Sequence, residues 1–289
     1  MSATPAISER IEALCHQFRL PTVAQEVVRQ FEQSAHGAGL ATLLEVLEME
    51  AEDRRQRRVD RLRRAASLPL GKTMETLECE RLGPKLEQQL IRLATGEFAD
   101  QAINVLAFGM PGTGKTHSVA ALGHRLVEQG RSVLFTPTYR LVQHLLAAKR
   151  DLDLPRALRK LDHFDVLILD DLGDVKQHGD EAEVLFTLIA ERYERRSIVI
   201  TSNVVFSQWE GIFQSPMATA AAIDRIVHHS VILEFDAPSY RSEKARSAHL
   251  VGDAAPAPAS RRPRRGTEPS ASAVRRGRRE AGAGKAPAG

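Results

Sequence analysis

Eight consecutive residues have the types and the spacing of a phosphate-binding loop. They are Gly109-Met110-Pro111-Gly112-Thr113-Gly114-Lys115-Thr116, and they match the pattern G-x-x-x-x-G-K-[ST]. Glycines let successive backbone N–H groups point inward at a phosphate, where a Cβ atom would clash. The lysine side chain suits the β- and γ-phosphates, and the threonine hydroxyl suits Mg²⁺. The pattern therefore predicts a site for a nucleoside triphosphate.

The segments on either side of the loop support this interpretation. The apolar run Ile103 to Phe108 predicts a strand that ends at the loop, and the amphipathic run Val119 to Val127 predicts a helix that follows it. The N-terminal dipole of that helix would face the phosphates. An ordinary glycine-rich turn is the alternative, and the strand–loop–helix context disfavours it.

Polar residues end two further predicted strands. Asp170 and Asp171 follow an apolar run, and ligands bind at the carboxyl ends of strands in open α/β sheets. Asp170 suits the Mg²⁺ shell, whereas Asp171 can orient or deprotonate the attacking water. Asn203 ends the next strand, where its amide can bond the γ-phosphate and the water. A simple turn remains the alternative at both places.

Length and composition are those of a globular protein. The chain has 289 residues, of which 43% are hydrophobic, so a full core can form. No apolar run of about eighteen residues occurs, and no basic stretch precedes an apolar one at the N-terminus. We therefore expect a cytoplasmic protein without a membrane partner. Cys15 and Cys79 lack metal-ligand spacing and are predicted to be free thiols.

The positive charge lies in the C-terminal tail. From Gly252 onward there are nine basic residues against three acidic ones, whereas residues 1–251 hold 31 basic and 34 acidic residues. The tail is otherwise rich in Ala, Pro, Gly and Ser, so we expect it to be disordered. Its arginines could bind nucleic acid phosphates, and an extension without function is an equally good interpretation.

The chain divides into four predicted parts. These are an N-terminal helical domain (1–66), a linker and helix (67–102), a nucleotide-binding domain (103–250) and a disordered basic tail (251–289). Five short apolar runs predict the strands of the third part: Ile103 to Phe108, Ser132 to Thr136, Asp165 to Leu169, Ser197 to Thr201 and Val231 to Phe235. Their alternation with helical segments predicts an α/β fold with a five-stranded parallel sheet.

The last helix of the N-terminal domain is rich in arginine. Arg54, Arg55, Arg57, Arg58 and Arg61 fall within eight residues. Arginines on more than one helix face suit a phosphate backbone. Pairing with Glu50, Glu52 and Asp53 along the same helix is the alternative, and the sequence leaves both open.

Several segments together resemble a known family. The phosphate loop, Asp170-Asp171, Asn203 and Asp224-Arg225 are similar to the AAA+ ATPases of the DnaA/DnaC branch. The closer resemblance is to the IstB-like transposition helper ATPases, and it covers roughly residues 8 to 246. It rests on Leu93-Ala94-Thr95-Gly96-Glu97-Phe98, Gly114-Lys115-Thr116-His117, Leu169-Asp170-Asp171-Leu172-Gly173, Ile189-Ala190-Glu191-Arg192-Tyr193-Glu194-Arg195, Thr201-Ser202-Asn203 and Ser239-Tyr240-Arg241.

The resemblance implies an AAA+ P-loop ATPase that uses ATP and Mg²⁺. It further implies a homo-oligomer, as a ring or spiral, that binds double-stranded DNA and works with a cognate transposase. Arg225 then becomes the candidate arginine finger, acting on a neighbouring subunit's phosphates, with a surface pair to Asp224 or Glu234 as the alternative. Arg241 is the nearest candidate for the second sensor arginine.

The same resemblance implies an extra helical element between the second and third strands. Tyr139 to Arg150 and Leu154 to Leu161 match it, and this element can face DNA in the assembly. Its candidate phosphate contacts are Lys149, Arg150, Arg156, Arg159 and Lys160.

Two features depart from the general AAA+ pattern. The water-activating acid is more often Glu, and Asp171 is one methylene shorter. The C-terminal lid is also nearly absent, because only Ser239 to Leu250 can form a helix after the last strand.

Four functions fit the sequence. The first is an ATPase that oligomerises on target DNA, stimulates its transposase and is reset by hydrolysis. The others are a DnaC-like loader of a replicative helicase, a small-molecule P-loop kinase, and an architectural DNA-binding protein that has lost hydrolysis. The N-terminal helices resemble the transposition family best.

Overall fold

A parallel sheet forms the centre of the structure. The computed structural model describes residues 3–33, 39–173, 179–204, 208–209, 216–236 and 239–240. The strands are β1 (Asn104–Gly109), β2 (Val133–Pro137), β3 (Val166–Leu172), β4 (Ser197–Ser202) and β5 (Ser230–Phe235). They pair in parallel in the order β2-β3-β4-β1-β5. The predicted five-stranded parallel sheet is thus confirmed.

Helices flank the sheet and precede it. The described helices are α1 (Ala3–Gln17), α2 (Pro21–Gln33), α3 (Gly39–Ala65), α4 (Pro84–Leu93), α5 (Glu97–Asp100), α6 (Lys115–Glu128), α7 (Thr138–Arg150), α8 (Leu154–Asp162), α9 (Gly179–Arg192) and α10 (Pro216–Val227). The two helices predicted between the second and third strands are α7 and α8.

The sheet is apolar on both faces because neighbouring strand residues point to opposite sides. Val166 and Ile168 of β3 pack with α4 and α6, whereas Leu167 and Leu169 pack with α7, α8, α9 and α10. A strand that is buried on both faces must be apolar at every position. This requirement explains the continuous apolar runs in the sequence.

The N-terminal helices form a third apolar cluster around Ile11, Cys15 and Leu40. From there α3 extends over 27 residues, a length of about 40 Å at 1.5 Å per residue. Its C-terminal half reaches the sheet, because Val59 belongs to the cluster beneath α6. The long helix thus joins the N-terminal cluster to the sheet. Both cysteines are free thiols, as predicted.

Among the residues that the structure describes, no helix is long and apolar enough to cross a membrane. Residues 241–289 lie outside the described residues. They include the predicted basic tail and most of the segment predicted to form a small lid.

Candidate nucleotide site

The phosphate loop joins β1 to α6 and requires glycine at its first residue and at the residue just before α6. Gly109 has a φ of 153°, and a Cβ atom there would lie 2.4 Å from the Phe235 carbonyl oxygen. Gly114 has a φ of 103° and directly precedes the first residue of α6. The loop therefore ends at the N-terminus of α6, the end of a helix that favours an anion.

Lys115 and Thr113 fix the shape of the loop. The Lys115 ammonium donates to the carbonyl oxygens of Gly109 at 2.6 Å and Met110 at 2.9 Å. The Thr113 hydroxyl donates to the Met110 carbonyl at 2.9 Å. The side chain of Lys115 is buried, with 6% of the residue exposed. A positive charge and the N-terminus of a helix therefore converge on one cradle, which fits a triphosphate.

A cavity of about 450 Å³ lies beside the loop. Loop residues Pro111 to Thr116 line it together with Asp171 and Asn203, so the structure brings these predicted residues into one site. Further lining residues are Lys72, Thr76, Leu77, Glu78, Arg81, Leu82, His117 and Tyr240. Most of these come from the segment between α3 and α4, whose part in the site has no signature in the sequence.

The two carboxylates of β3 have different surroundings. Asp170 is 9% exposed, and its Oδ1 accepts a hydrogen bond from the Thr201 hydroxyl at 2.7 Å. Asp171 is exposed, lines the cavity and has a φ of 57°. Its N–H donates to the oxygen of the same Thr201 hydroxyl at 2.9 Å. Asp170 is thus buried and hydrogen-bonded, whereas Asp171 is exposed at the cavity, so the two carboxylates are in different environments.

An irregularity in the sheet separates these carboxylates. The register of β3 against β4 shifts between Leu169 and Leu172, where Asp170 and Asp171 lie. Beyond the shift Leu172 pairs with Ser202, so β3 ends three residues later than the predicted run, which ended at Leu169. The extra residue in the ladder turns Asp171 toward the cavity.

The donor set suits magnesium. A threonine hydroxyl at Thr116 and a carboxylate at Asp170 are oxygen ligands, which hard divalent cations prefer. Thr116 directly follows the loop lysine, and Asp170 ends the apolar part of the strand. These residues would hold Mg²⁺, and the ion would neutralise phosphate charge there.

The C-terminal segment returns to the loop at Tyr240. Its N–H donates to the Gly112 carbonyl at 3.0 Å, and the Arg81 guanidinium lies 5.3 Å from the centre of its ring. Arg241, the candidate second sensor arginine, lies outside the described residues.

Arg225, the candidate arginine finger, lies outside the nucleotide cavity. It is half-buried near the end of α10, and its guanidinium lies 5.0 Å from the centre of the Phe186 ring. Its Nη1 donates to the Ala221 carbonyl at 3.3 Å. Arg225 is not among the described residues that line the cavity. A catalytic role for Arg225 therefore requires a second subunit.

The arginines of α3 are partly paired along their own helix. Arg54 bonds Glu50 at 2.5 Å, Arg55 bonds Glu52 at 2.6 Å, and Arg57 bonds Asp53 at 2.7 Å. Arg58 donates to the Gly130 carbonyl at 3.2 Å, which ties α3 to the end of α6. The same side chains, with those of Arg61 and Arg64, line an open crevice on α3. Pairing along the helix, which was the alternative to contact with a phosphate backbone, therefore applies to Arg54, Arg55 and Arg57.

The basic residues of α7 and α8 also fall into two groups. Lys149 bonds Glu183 at 2.7 Å and Asp180 at 3.0 Å, and these hydrogen bonds raise the pKa of Lys149. Arg150, Arg156, Arg159 and Lys160 are exposed.

The sheet order, the phosphate loop and the paired carboxylates define a P-loop ATPase of the AAA+ class. Residues 13–248 match the family described as IstB-like ATP binding protein. The chain belongs to this family.

Similar proteins are named for insertion sequences. An insertion sequence ATP-binding protein of Sinorhizobium fredii (strain NBRC 101917 / NGR234) is 42% identical over 83% of this chain and 81% of its own length. One of Geobacillus stearothermophilus is 33% identical over 83% of this chain and 96% of its own length. The solved DnaC helicase loader has a TM-score of 0.45 and 19% identity, covering 53% of this chain and 89% of that one.

Proposed function

We propose that the protein is an ATP-dependent DNA-binding helper of transposition, active in the cytoplasm. It oligomerises on duplex target DNA in the presence of ATP and stimulates a cognate transposase, and ATP hydrolysis then resets the complex. The observation that carries this proposal is the triphosphate cavity, found in a chain whose relatives are named insertion sequence ATP-binding proteins.

Each site residue has a defined part in the proposed reaction. Lys115 stabilises the β- and γ-phosphates, and Thr116 and Asp170 hold Mg²⁺. Asp171 orients the attacking water and accepts its proton, while Asn203 bonds the water and the γ-phosphate. Arg225 of a neighbouring subunit stabilises the charge that develops on the transferred group. Arg241 acts as a sensor of the nucleotide.

The position of Arg225 supports a shared active site. Its guanidinium lies against Phe186, outside the cavity of its own chain. An arginine of one subunit can complete the site of the next only in an assembly, and duplex DNA is the scaffold that we propose for that assembly.

DNA is proposed to be held through its phosphates. The exposed basic side chains of α8 and the arginine crevice of α3 supply positive charge without an evident set of base-reading residues. Such contacts bind many sequences and weaken steeply with salt.

A strand-transfer assay with the transposase of the same insertion sequence tests the function. We expect ATP to be required and Lys115→Ala to abolish stimulation. Asp171→Asn should bind ATP without hydrolysing it, so that the complex on DNA outlives that of the wild type. The helicase-loader alternative would be favoured if strand transfer is the same with and without the protein and if the protein co-purifies with a replicative helicase.

A further inference from the structure

The segment between α3 and α4 forms one wall of the nucleotide cavity. We call residues 66–82 the strap. At its start, the Ala66 carbonyl accepts a hydrogen bond from the Phe135 N–H of β2 at 2.8 Å. Leu68 is 8% exposed and packs on α6 so closely that a Cβ atom on Gly123 would lie 2.7 Å from Leu68 Cδ2. The strap is therefore docked at the end where it leaves α3.

Two histidines of α6 fasten the strap further along. His124 Nε2 lies 3.1 Å from the Pro69 carbonyl oxygen, and His117 Nε2 lies 3.3 Å from the Thr73 carbonyl oxygen. A carbonyl oxygen only accepts hydrogen bonds, so both histidines must carry a proton on Nε2. The two residues are seven positions apart, which places them on one face of the helix.

The Thr76 hydroxyl completes this contact. Its single proton can be donated to the Gly71 carbonyl at 2.8 Å or to the Thr73 carbonyl at 3.1 Å. The hydroxyl can then only accept from the Thr73 N–H and from His117 Nε2, each at 3.0 Å. With its proton on Nε2, His117 can donate to the Thr76 hydroxyl oxygen and to the Thr73 carbonyl, which the Thr76 hydroxyl also reaches.

The later residues of the strap line the nucleotide cavity. Lys72, Thr76, Leu77 and Glu78 of the strap line the cavity, as do residues of the phosphate loop. His117 follows the loop threonine directly in sequence. The contact between His117 and Thr76 therefore joins the two walls of one cavity.

We infer that His117 and Thr76 form a latch that holds the strap against α6 and so sets the affinity for the nucleotide. His117 is a positioning residue, since it acts through the strap rather than on the reacting atoms. When the latch is open, the strap is not ordered before the nucleotide binds. Binding must then order the strap, and the loss of conformational entropy lowers the affinity for the nucleotide.

The strap also begins where α3 ends, and α3 carries the arginine crevice. This next step rests on the proposed function. Duplex DNA that binds α3 tightens nucleotide binding through the latch, and we call this coupling the link. By linkage, ATP must tighten DNA binding by the same factor.

Fluorescent ATP analogue titrations without DNA test the latch. We expect His117→Ala and Thr76→Val each to raise the dissociation constant roughly tenfold, and the double variant to be no weaker than either one. His117→Gln keeps an N–H donor and should recover most of the affinity. The exposed His144→Ala on α7 is the control, and melting curves exclude unfolding as the cause. In steady-state hydrolysis the effect should fall on KM rather than on kcat.

Unchanged affinity in the folded single variants, or additive effects in the double variant, would overturn the latch. Repeating the titrations with duplex DNA tests the link. The link is supported if DNA tightens nucleotide binding to the wild type and His117→Ala loses that gain. If DNA does not change the nucleotide affinity of the wild type, the result counts against the proposed function. If DNA tightens nucleotide binding to His117→Ala as much as to the wild type, only the link is overturned.

Discussion

Thr201 connects the two carboxylates of the site. Its hydroxyl donates to Asp170 at 2.7 Å and accepts from the Asp171 N–H at 2.9 Å. Asp171 has a φ of 57°, a conformation that costs a residue with a side chain about 1–3 kcal/mol and persists only where the surroundings enforce it. We attribute part of that enforcement to Thr201.

We expect Thr201→Val to separate positioning from binding. Valine keeps the shape and removes both hydrogen bonds, so kcat should fall roughly 10- to 100-fold, as for other small misplacements of reacting groups. Nucleotide affinity in EDTA should stay within about twofold, since the phosphate loop is untouched. Thr201→Ser is the matched control and should restore most of the rate. Equal hydrolysis rates in the valine and serine variants would argue against this role.

His117 should make stability depend on pH. Burial lowers the pKa of His117; nearby Lys72 adds to this effect, whereas the hydrogen bond to Thr73 and the charge of Glu78 oppose it. As pH falls, the unfolded chain, with its ordinary histidine pKa of about 6.5, binds the proton before the folded protein does. The free energy of unfolding should therefore decrease below about pH 7.

Urea unfolding of wild type and His117→Gln between pH 8 and pH 5 measures this contribution. The variant should lose less stability over that range. A steeper loss in the variant would mean that His117 is easier to protonate in the folded protein than in the unfolded chain.

At the scale of elements, Arg192 joins a helix to two strands. It is only 2% exposed and donates to four carbonyl oxygens. The acceptors are Leu161 at 2.9 Å, Phe164 at 3.0 Å, Ser197 at 3.1 Å and Asp165 at 3.3 Å. Burial lowers the pKa of Arg192 to about 10, so the guanidinium remains charged at neutral pH. The end of α8 and the starts of β3 and β4 thus share one buried cation.

Arg192→Met should destabilise the protein by about 2–4 kcal/mol, because several buried carbonyls lose their donors. Arg195→Met is the control: Arg195 is exposed and pairs with Asp162 at 2.8 Å. Its loss should cost no more than about 0.5 kcal/mol. Denaturant unfolding at pH 7 compares the two. Similar costs for both variants would show that the buried network contributes little.

At the scale of the molecule, pairing divides the basic residues into two groups. Lys149 is held by Glu183 and Asp180 of α9. Arg156 and Arg159 are exposed on α8, whose buried positions Ala157 and Leu161 face the core. A helix with this arrangement presents its charge outward, where a phosphate backbone can reach it.

Substitutions in the two groups should affect DNA binding differently. Arg156→Gln and Arg159→Gln should each lower the salt slope of duplex binding by about 0.9, the value for one lost phosphate contact. Lys149→Gln removes the same charge and should change the slope little, because its carboxylate partners already neutralise it. Binding measured over a series of salt concentrations distinguishes these cases. A larger effect at Lys149 than at Arg156 would contradict the proposed DNA-facing surface.

The sequence predicted the local parts of the site and missed the parts formed by distant residues. The phosphate loop and the strands have local signatures, namely glycine spacing and apolar runs. The latch joins residues 41 positions apart, and no local pattern reports such a contact. Arg192 lies in a charged segment that suggests exposure, and only the fold shows that it is buried.

The most direct test is the ATPase rate with and without duplex DNA, measured for wild type, Lys115→Ala, Arg225→Ala and a mixture of the two variants, while particle size is followed. A shared site predicts that DNA stimulates the wild type within a large ATP-dependent complex and that each variant alone is inactive. The mixture should recover part of the rate, because an Arg225 from one subunit can serve the intact loop of another. Hydrolysis by a monomer that ignores both DNA and Arg225 would contradict the central claim.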